Sequence, residues 1–143
     1  MYYVGTMENA PSVEITGTNA RTLRCFISPE LDPTNQDIAC GMTQMQPGTC
    51  SDCRAHPEGE MFICVSGEGH VRIGNEVIAL APHTVVYVPK NTIHQLFADR
   101  DTPMQLYWVL TPPFGGDKLV CDLARQNAAG EKSDSILLGG RSD

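Results

Sequence analysis

The stretch "DCRAHPEGEMFICVSGEG", residues 52–69, sets an arginine, a histidine and two glutamates directly ahead of an apolar run. The run "EMFICVSGEG" (60–69) reads as a buried strand closed by a glycine turn, and "PEG" reverses the chain just before it. The charged half is therefore either a solvated hairpin end or a metal site from which one ligand is missing. What surrounds it decides between the two.

Outward from this stretch the punctuation is dense, with 13 Gly and 10 Pro and few windows of helical period. "RTLRCFIS" (21–28) is short and apolar-rich. "IACGMTQMQPG" (38–48) reads as a strand ending at Pro47-Gly48, and "HVRIGNEVIAL" (70–80) as a hairpin about "GNE". "VVYVP" (85–89), "IHQLFA" (93–98) and "MQLYWVL" (104–110) follow, each bounded by turn residues. About eight short strands with turn signals every eight to twelve residues is the pattern of an all-β sandwich or barrel. From Asp117 the pattern changes: "DKLVCDLARQN" suits a short helix, and "AAGEKSDSILLGGRSD" is polar and Gly/Ser-rich, loose or used to cover a partner.

A chain of 143 residues makes one domain with a core of its own. Its formal net charge of −7 repels phosphates, so neither a nucleic acid nor an anionic membrane is the expected partner. With no apolar run near 18 residues and no basic-plus-apolar leader, the reading is a soluble, cytoplasmic protein. The six cysteines are then read as reduced. Cys50 and Cys53 form a lone C-x-x-C. On an extended segment thiols three apart point to opposite faces, so the pair is read as ordinary small residues rather than a zinc site.

Strand alternation puts Cys50, Asp52, Arg54 and His56 on one face. After the turn, Glu60 starts the neighbouring strand close to His56. Far along the chain, His94 shares a strand face with Leu96 and Ala98. Two imidazoles and one carboxylate converging inside a small barrel suit Fe(II), Mn(II), Zn(II) or Ni(II) and leave positions open for water or substrate.

These residues also carry a family resemblance. Residues 48–67 resemble the first motif of the cupin superfamily, G-x5-H-x-H-x3,4-E-x6-G, through Gly48, His56, Glu60 and Gly67. Residues 83–98 resemble the second, G-x5-P-x-G-x2-H-x3-N, through Pro89 and His94. Here His83 and Asn91 replace the two glycines and Ala98 replaces the final asparagine. Asn91 can hold the left-handed turn that glycine supplies, whereas His83 is a less usual choice. The intervening 15 residues, 68–82, are the spacing of a compact cupin. The larger departure is Arg54, which stands at the family's first histidine ligand. A guanidinium has no lone pair to offer, so it cannot coordinate.

The resemblance implies a double-stranded β-helix, a jelly-roll barrel with a short C-terminal tail that is part helical. It divides the chain into an N-terminal extension (1–19), the barrel (20–114) and the tail (115–143). It implies a divalent transition metal (Fe, Mn, Zn or Ni) on His56, Glu60 and His94, with Arg54 binding the carboxylate of a small acidic substrate. Homodimerisation through N-terminal strands such as "RTLRCFIS" is also implied. Within that frame, a non-redox lyase or isomerase leads. The alternatives are a non-heme Fe(II) dioxygenase and a non-catalytic small-anion sensor that has lost its metal. On the bland reading, Arg54 is a rim residue paired with Asp52 or Glu58. Tyr87, Tyr107 and Trp108 are then core or interface residues, and His70 is solvated.

Overall fold

Nine strands and one helix make up the computed structural model, which describes residues 2–128. They are β1 (Ser12–Ile15), β2 (Arg21–Ile27), β3 (Ala39–Met45), β4 (Gly59–Ser66), β5 (Gly69–Ile73), β6 (Glu76–Leu80), β7 (Val85–Val88), β8 (His94–Ala98), β9 (Met104–Thr111) and α1 (Gly116–Ala128). Six of them form one sheet in the order β1-β2-β3-β9-β4-β7, and three form a second in the order β6-β5-β8. Every pairing is antiparallel. The eight expected strands are present; the ninth, β1, lies in the stretch 1–19. The expected helix forms over Gly116–Ala128, while the polar stretch after it lies outside the described residues from 129 onward.

Period-two alternation sets the core. Glu60, Phe62 and Cys64 of β4 face inward opposite Leu110, Trp108 and Leu106 of β9, and each of the six is buried. Leu23 and Cys25 on β2, Val71 on β5 and Leu96 on β8 close the interior from other sides. Burying each leucine- or phenylalanine-sized side chain contributes roughly 1.5–3 kcal/mol before its ordering entropy is subtracted. Gly41 of β3 has no side chain because the Trp108 ring occupies the place where a Cβ would stand. The amphipathic α1 packs against β1, β2 and β3 with Val120, Cys121 and Leu123 buried. Asp117 in its first turn accepts a hydrogen bond from Ser28 Oγ at 2.5 Å.

The two substituted motif positions behave as glycines would. His83 has φ 74° and Asn91 has φ 59°, both in the left-handed region, and both sit exposed at turns where a ring or amide has room. No described helix is long and apolar enough to cross a membrane.

Candidate metal centre

Residues 49–54 run extended along the free edge of β8. Ala98 N donates to Thr49 O, Ser51 N to Leu96 O, and Arg54 and His94 exchange both main-chain bonds at 3.1 and 2.9 Å. The register is not uniform. Cys50 lies opposite Phe97 and Arg54 opposite His94, so four steps on one side match three on the other. The extra residue is a bulge, and it breaks the strict alternation expected from Cys50 to His56. Ser51, Asp52 and Arg54 line the interior cavity, while Cys50 lies beside Asn19, whose amide is 3.7 Å from its sulfur. Cys53 is buried near Arg72 instead, so the two thiols of the C-x-x-C have different neighbours.

The bulge leaves Arg54 and His94 directly opposite, and directly opposed residues of an antiparallel pair share a face. The turn after His56 then returns Glu60 along β4. His56, Glu60 and His94 converge as a result: their ligand atoms all lie within 4.8 Å of one another and all three residues are buried. Glu60 Oε1 is 3.0 Å from His56 Nε2 and 3.2 Å from His94 Nε2, and the two imidazoles meet edge to face with centroids 4.9 Å apart.

The other ring nitrogens fix the proton positions. His56 Nδ1 lies 3.1 Å from Glu58 O, and His94 Nδ1 lies 2.9 Å from Thr92 O. A main-chain carbonyl only accepts, so each Nδ1 carries the hydrogen and each Nε2 is left with a lone pair aimed at a carboxylate oxygen. Such an arrangement needs positive charge between the atoms, either added protons or a cation. Two ligand atoms each ~2.1 Å from one ion and at right angles are about 3.0 Å apart, which matches both Nε2–Oε1 separations. The three residues thus fit a divalent ion, and their outer nitrogens have the second partners that such ligands need.

Electrostatics agree. Burial works against the charge on His56, yet its hydrogen bonds with Glu58 and Glu60 outweigh burial and raise it to about 9. Burial likewise opposes ionisation of Glu60, but the two histidines and the Arg54 charge hold it down at about 2. A cation bound by these residues would take the place of the proton held between His56 and Glu60.

Two further groups have roles that the sequence reading did not assign. Arg21 on β2 reaches into the interior and donates to Asp52 Oδ1 at 2.7 Å, both side chains being 3 % exposed. Burial lowers the pKa of Arg21 and the Asp52 charge works in the other direction. The available signal was parity, because Arg21 shares its strand face with Leu23 and Cys25, where an apolar residue is the norm. Glu58 accepts from Phe114 N and Gly116 N, both at 3.1 Å, at the start of α1. Burial opposes its charge, but His56 and those amides hold it at about 2. Glu58 is therefore not the partner of Arg54. Asp52 is the nearer carboxylate, with its Oδ2 3.9 Å from Arg54 Nε.

Arg21, Asp52, Arg54, Glu60 and His94 line one cavity together with Phe62 and Trp108, and Gly116 and Val120 of α1 contribute to its wall. It holds about 530 Å³ of empty space, its mouth included. Of the remaining candidates, Trp108 is buried in this wall, Tyr87 is 60 % exposed on β7, and His70 stacks on Phe97 with centroids 4.6 Å apart rather than standing in solvent.

A family model described as the cupin domain matches residues 41–110, the span that carries all three candidate ligands. The chain belongs to the cupin superfamily. Among curated proteins, this cupin is 27 % identical to an uncharacterized protein of Streptomyces coelicolor over 78 residues, which is 54 % of this chain and 73 % of that one. It is 29 % identical to L-ectoine synthase of Vibrio campbellii over 87 residues, 60 % of this chain and 68 % of the synthase. Among solved structures, Bacillus subtilis oxalate decarboxylase, characterised for its Mn(II) centres, superposes with TM-score 0.68 at 16 % identity. The match covers 78 % of this chain and 29 % of that one.

Proposed function

We propose that this cupin is a metal-dependent enzyme acting on a small carboxylate-bearing metabolite by non-redox, lyase- or isomerase-type chemistry. One observation carries the reading. Both imidazoles spend Nδ1–H on main-chain carbonyls and present Nε2 to one buried glutamate oxygen. A divalent ion at that point would take all three groups as ligands, in place of the proton that His56 otherwise shares with Glu60. The ion, when bound by His56, Glu60 and His94, supplies a Lewis acid that polarises a substrate carbonyl or hydroxyl oxygen.

The chain's own residues account for the rest. Among the charged residues of the cavity wall, the guanidiniums of Arg21 and Arg54 offset the carboxylates of Asp52 and Glu60, so the lining is neutral. A divalent ion makes it doubly positive, and an anionic substrate restores the balance. Arg54, held to His94 by two main-chain bonds, presents a planar fork suited to a carboxylate beside that ion. Phe62, Leu96 and Trp108 form an apolar part of the wall, which lowers the local dielectric and strengthens these charge interactions. The similarity to L-ectoine synthase, a synthase by name, favours the non-redox class over the dioxygenase alternative.

Metal analysis of protein purified without chelators tests the reading. The expected result is about one divalent transition ion per chain, lost in His94→Ala. Wild-type protein that stays metal-free after reconstitution with Fe, Mn, Zn and Ni in turn would overturn it. Oxygen uptake by the iron-loaded form during turnover of a small acid would move the assignment to the dioxygenase class.

A further inference from the structure

Asp52 is buried, 5 % exposed, yet its two oxygens are treated differently. Oδ1 accepts from Arg21 Nη2 at 2.7 Å. Oδ2 has no hydrogen-bond partner and is the one such atom among the buried polar side-chain atoms of the described residues. A carboxylate oxygen withdrawn from water without a partner is costly, and nearly all such atoms in native proteins are satisfied by something. Asp52 and Arg54 both line the cavity, and Oδ2 is 3.9 Å from Arg54 Nε, too far for a hydrogen bond.

We infer that Asp52 Oδ2 is the acceptor for a hydroxyl of the substrate, and that the substrate class is a small hydroxy acid, with its carboxylate on Arg54 and its hydroxyl on Asp52. The second half rests on the metal-binding and carboxylate-binding roles proposed above for the site and for Arg54. Three features support the assignment. Arg21 holds Asp52 through Oδ1, so the unpartnered oxygen is fixed before anything binds, which lowers the ordering cost of binding. Oδ2 can only accept, so the ligand must bring an O–H or N–H. The charge balance then chooses between them. A hydroxy acid brings negative charge and no positive one, whereas an amino acid adds an ammonium to a lining that a bound ion would already have made positive. Arg21 is a positioning residue in this scheme, and Asp52 and Arg54 touch the ligand.

The test compares matched acids that differ by one hydroxyl: glycolate against acetate, lactate against propionate, and malate against succinate, with alanine as the ammonium counterpart of lactate. Binding is measured by calorimetry on wild-type protein and on Asp52→Asn, each with and without bound metal, and metal content is determined on the same samples. The expected result is that at least one hydroxy acid binds about tenfold or more tightly than its deoxy partner and than alanine, as a charge-assisted hydrogen bond implies. In Asp52→Asn, whose amide oxygen still accepts from Arg21, that preference falls below about threefold. Equal binding within every pair, no binding by any hydroxy acid, or a preference unchanged in Asp52→Asn overturns the inference. If the Asn variant does not fold, the wild-type pairs decide. Failure of the metal reading is seen separately, as absent metal: the preference of Asp52 for a hydroxy acid over its deoxy partner persists in metal-free protein, whereas the preference over alanine is read only with metal bound.

Discussion

Replacing Arg21 by methionine removes the one hydrogen-bonded partner that a buried carboxylate, Asp52, has among the described residues, and keeps most of the side chain's volume. Both members of the pair are 3 % exposed and their contact is 2.7 Å, so solvent cannot take over the role of the guanidinium. Breaking a buried ion pair from one side costs about 3–5 kcal/mol, because a charge is left without compensation. Arg54 Nε, 3.9 Å from the other oxygen of Asp52, offsets part of that loss, so about 3 kcal/mol is expected. A domain of this size has a total stability of roughly 5–15 kcal/mol, making this loss a fifth or more of it. It corresponds to a fall in Tm of about 10 °C and in urea midpoint of about 1.5–2 M. Trp108 is the single tryptophan and lies buried in the same cavity wall, so its fluorescence reports the transition. The double variant Arg21→Met/Asp52→Leu removes both charges and fills the space with apolar groups, and it should recover most of the lost stability. A single variant that loses less than about 1 kcal/mol, or a double variant no more stable than the single one, would refute the reasoning.

Three further outcomes are expected. In metal-free protein the raised pKa of His56 gives a contribution fully present below pH 6.5 and lost as the pH rises towards 9. The lowered carboxyls of Glu58 and Glu60 give contributions present above pH 4.5 and lost towards pH 2. Urea midpoints should therefore peak between pH 4.5 and 6.5, and a flat profile from 6.5 to 9 contradicts the His56 geometry. Gly67→Ala should cost more than about 3 kcal/mol, because φ is +79° and the new Cβ runs into the Pro103 carbonyl, whereas Gly74→Ala at φ +58° meets open space and should cost about 1 kcal/mol. Equal losses at the two sites in chemical denaturation would count against that account. Glu58→Gln weakens the anchor at the start of α1 by about 1–2 kcal/mol, so amides of Asp117 to Cys121 should exchange faster while those of β9 do not.

The strands were legible in the sequence because each is a short run with its own turn residues, and period-two burial is a local property. The same holds for His56 and Glu60: they are four residues apart across one turn, so the chain between them fixes their approach. The left-handed turns at His83 and Asn91 were marked by the spacing of the second motif, and the backbone keeps φ positive at both although neither is glycine. β1 was harder to read, since four residues of mixed character become a strand only where β2 offers an edge to pair with.

Other features depended on contacts between distant segments. Alternation placed Cys50 with Asp52 and Arg54, but the bulge opposite β8 is set by pairing between residues 50–54 and 94–97, which no local pattern records. Arg54 had two carboxylates within a few residues, yet the start of α1, nearly sixty residues later, takes Glu58 and leaves Asp52. Asp52 in turn is held by Arg21, thirty-one residues upstream.

The sequence by itself determined the barrel, its turns and the three ligand-type residues, because hydrophobic period, glycine and proline chemistry and side-chain donor type act over a few residues. Only the tertiary structure decided how those residues are oriented and charged. The Nδ1 bonds to main-chain carbonyls, the pairing of Arg21 with Asp52 and the buried, unpartnered Oδ2 of Asp52 all follow from which segments lie side by side. Burial then makes each of those contacts count, since a polar atom removed from water must find its partner inside the protein.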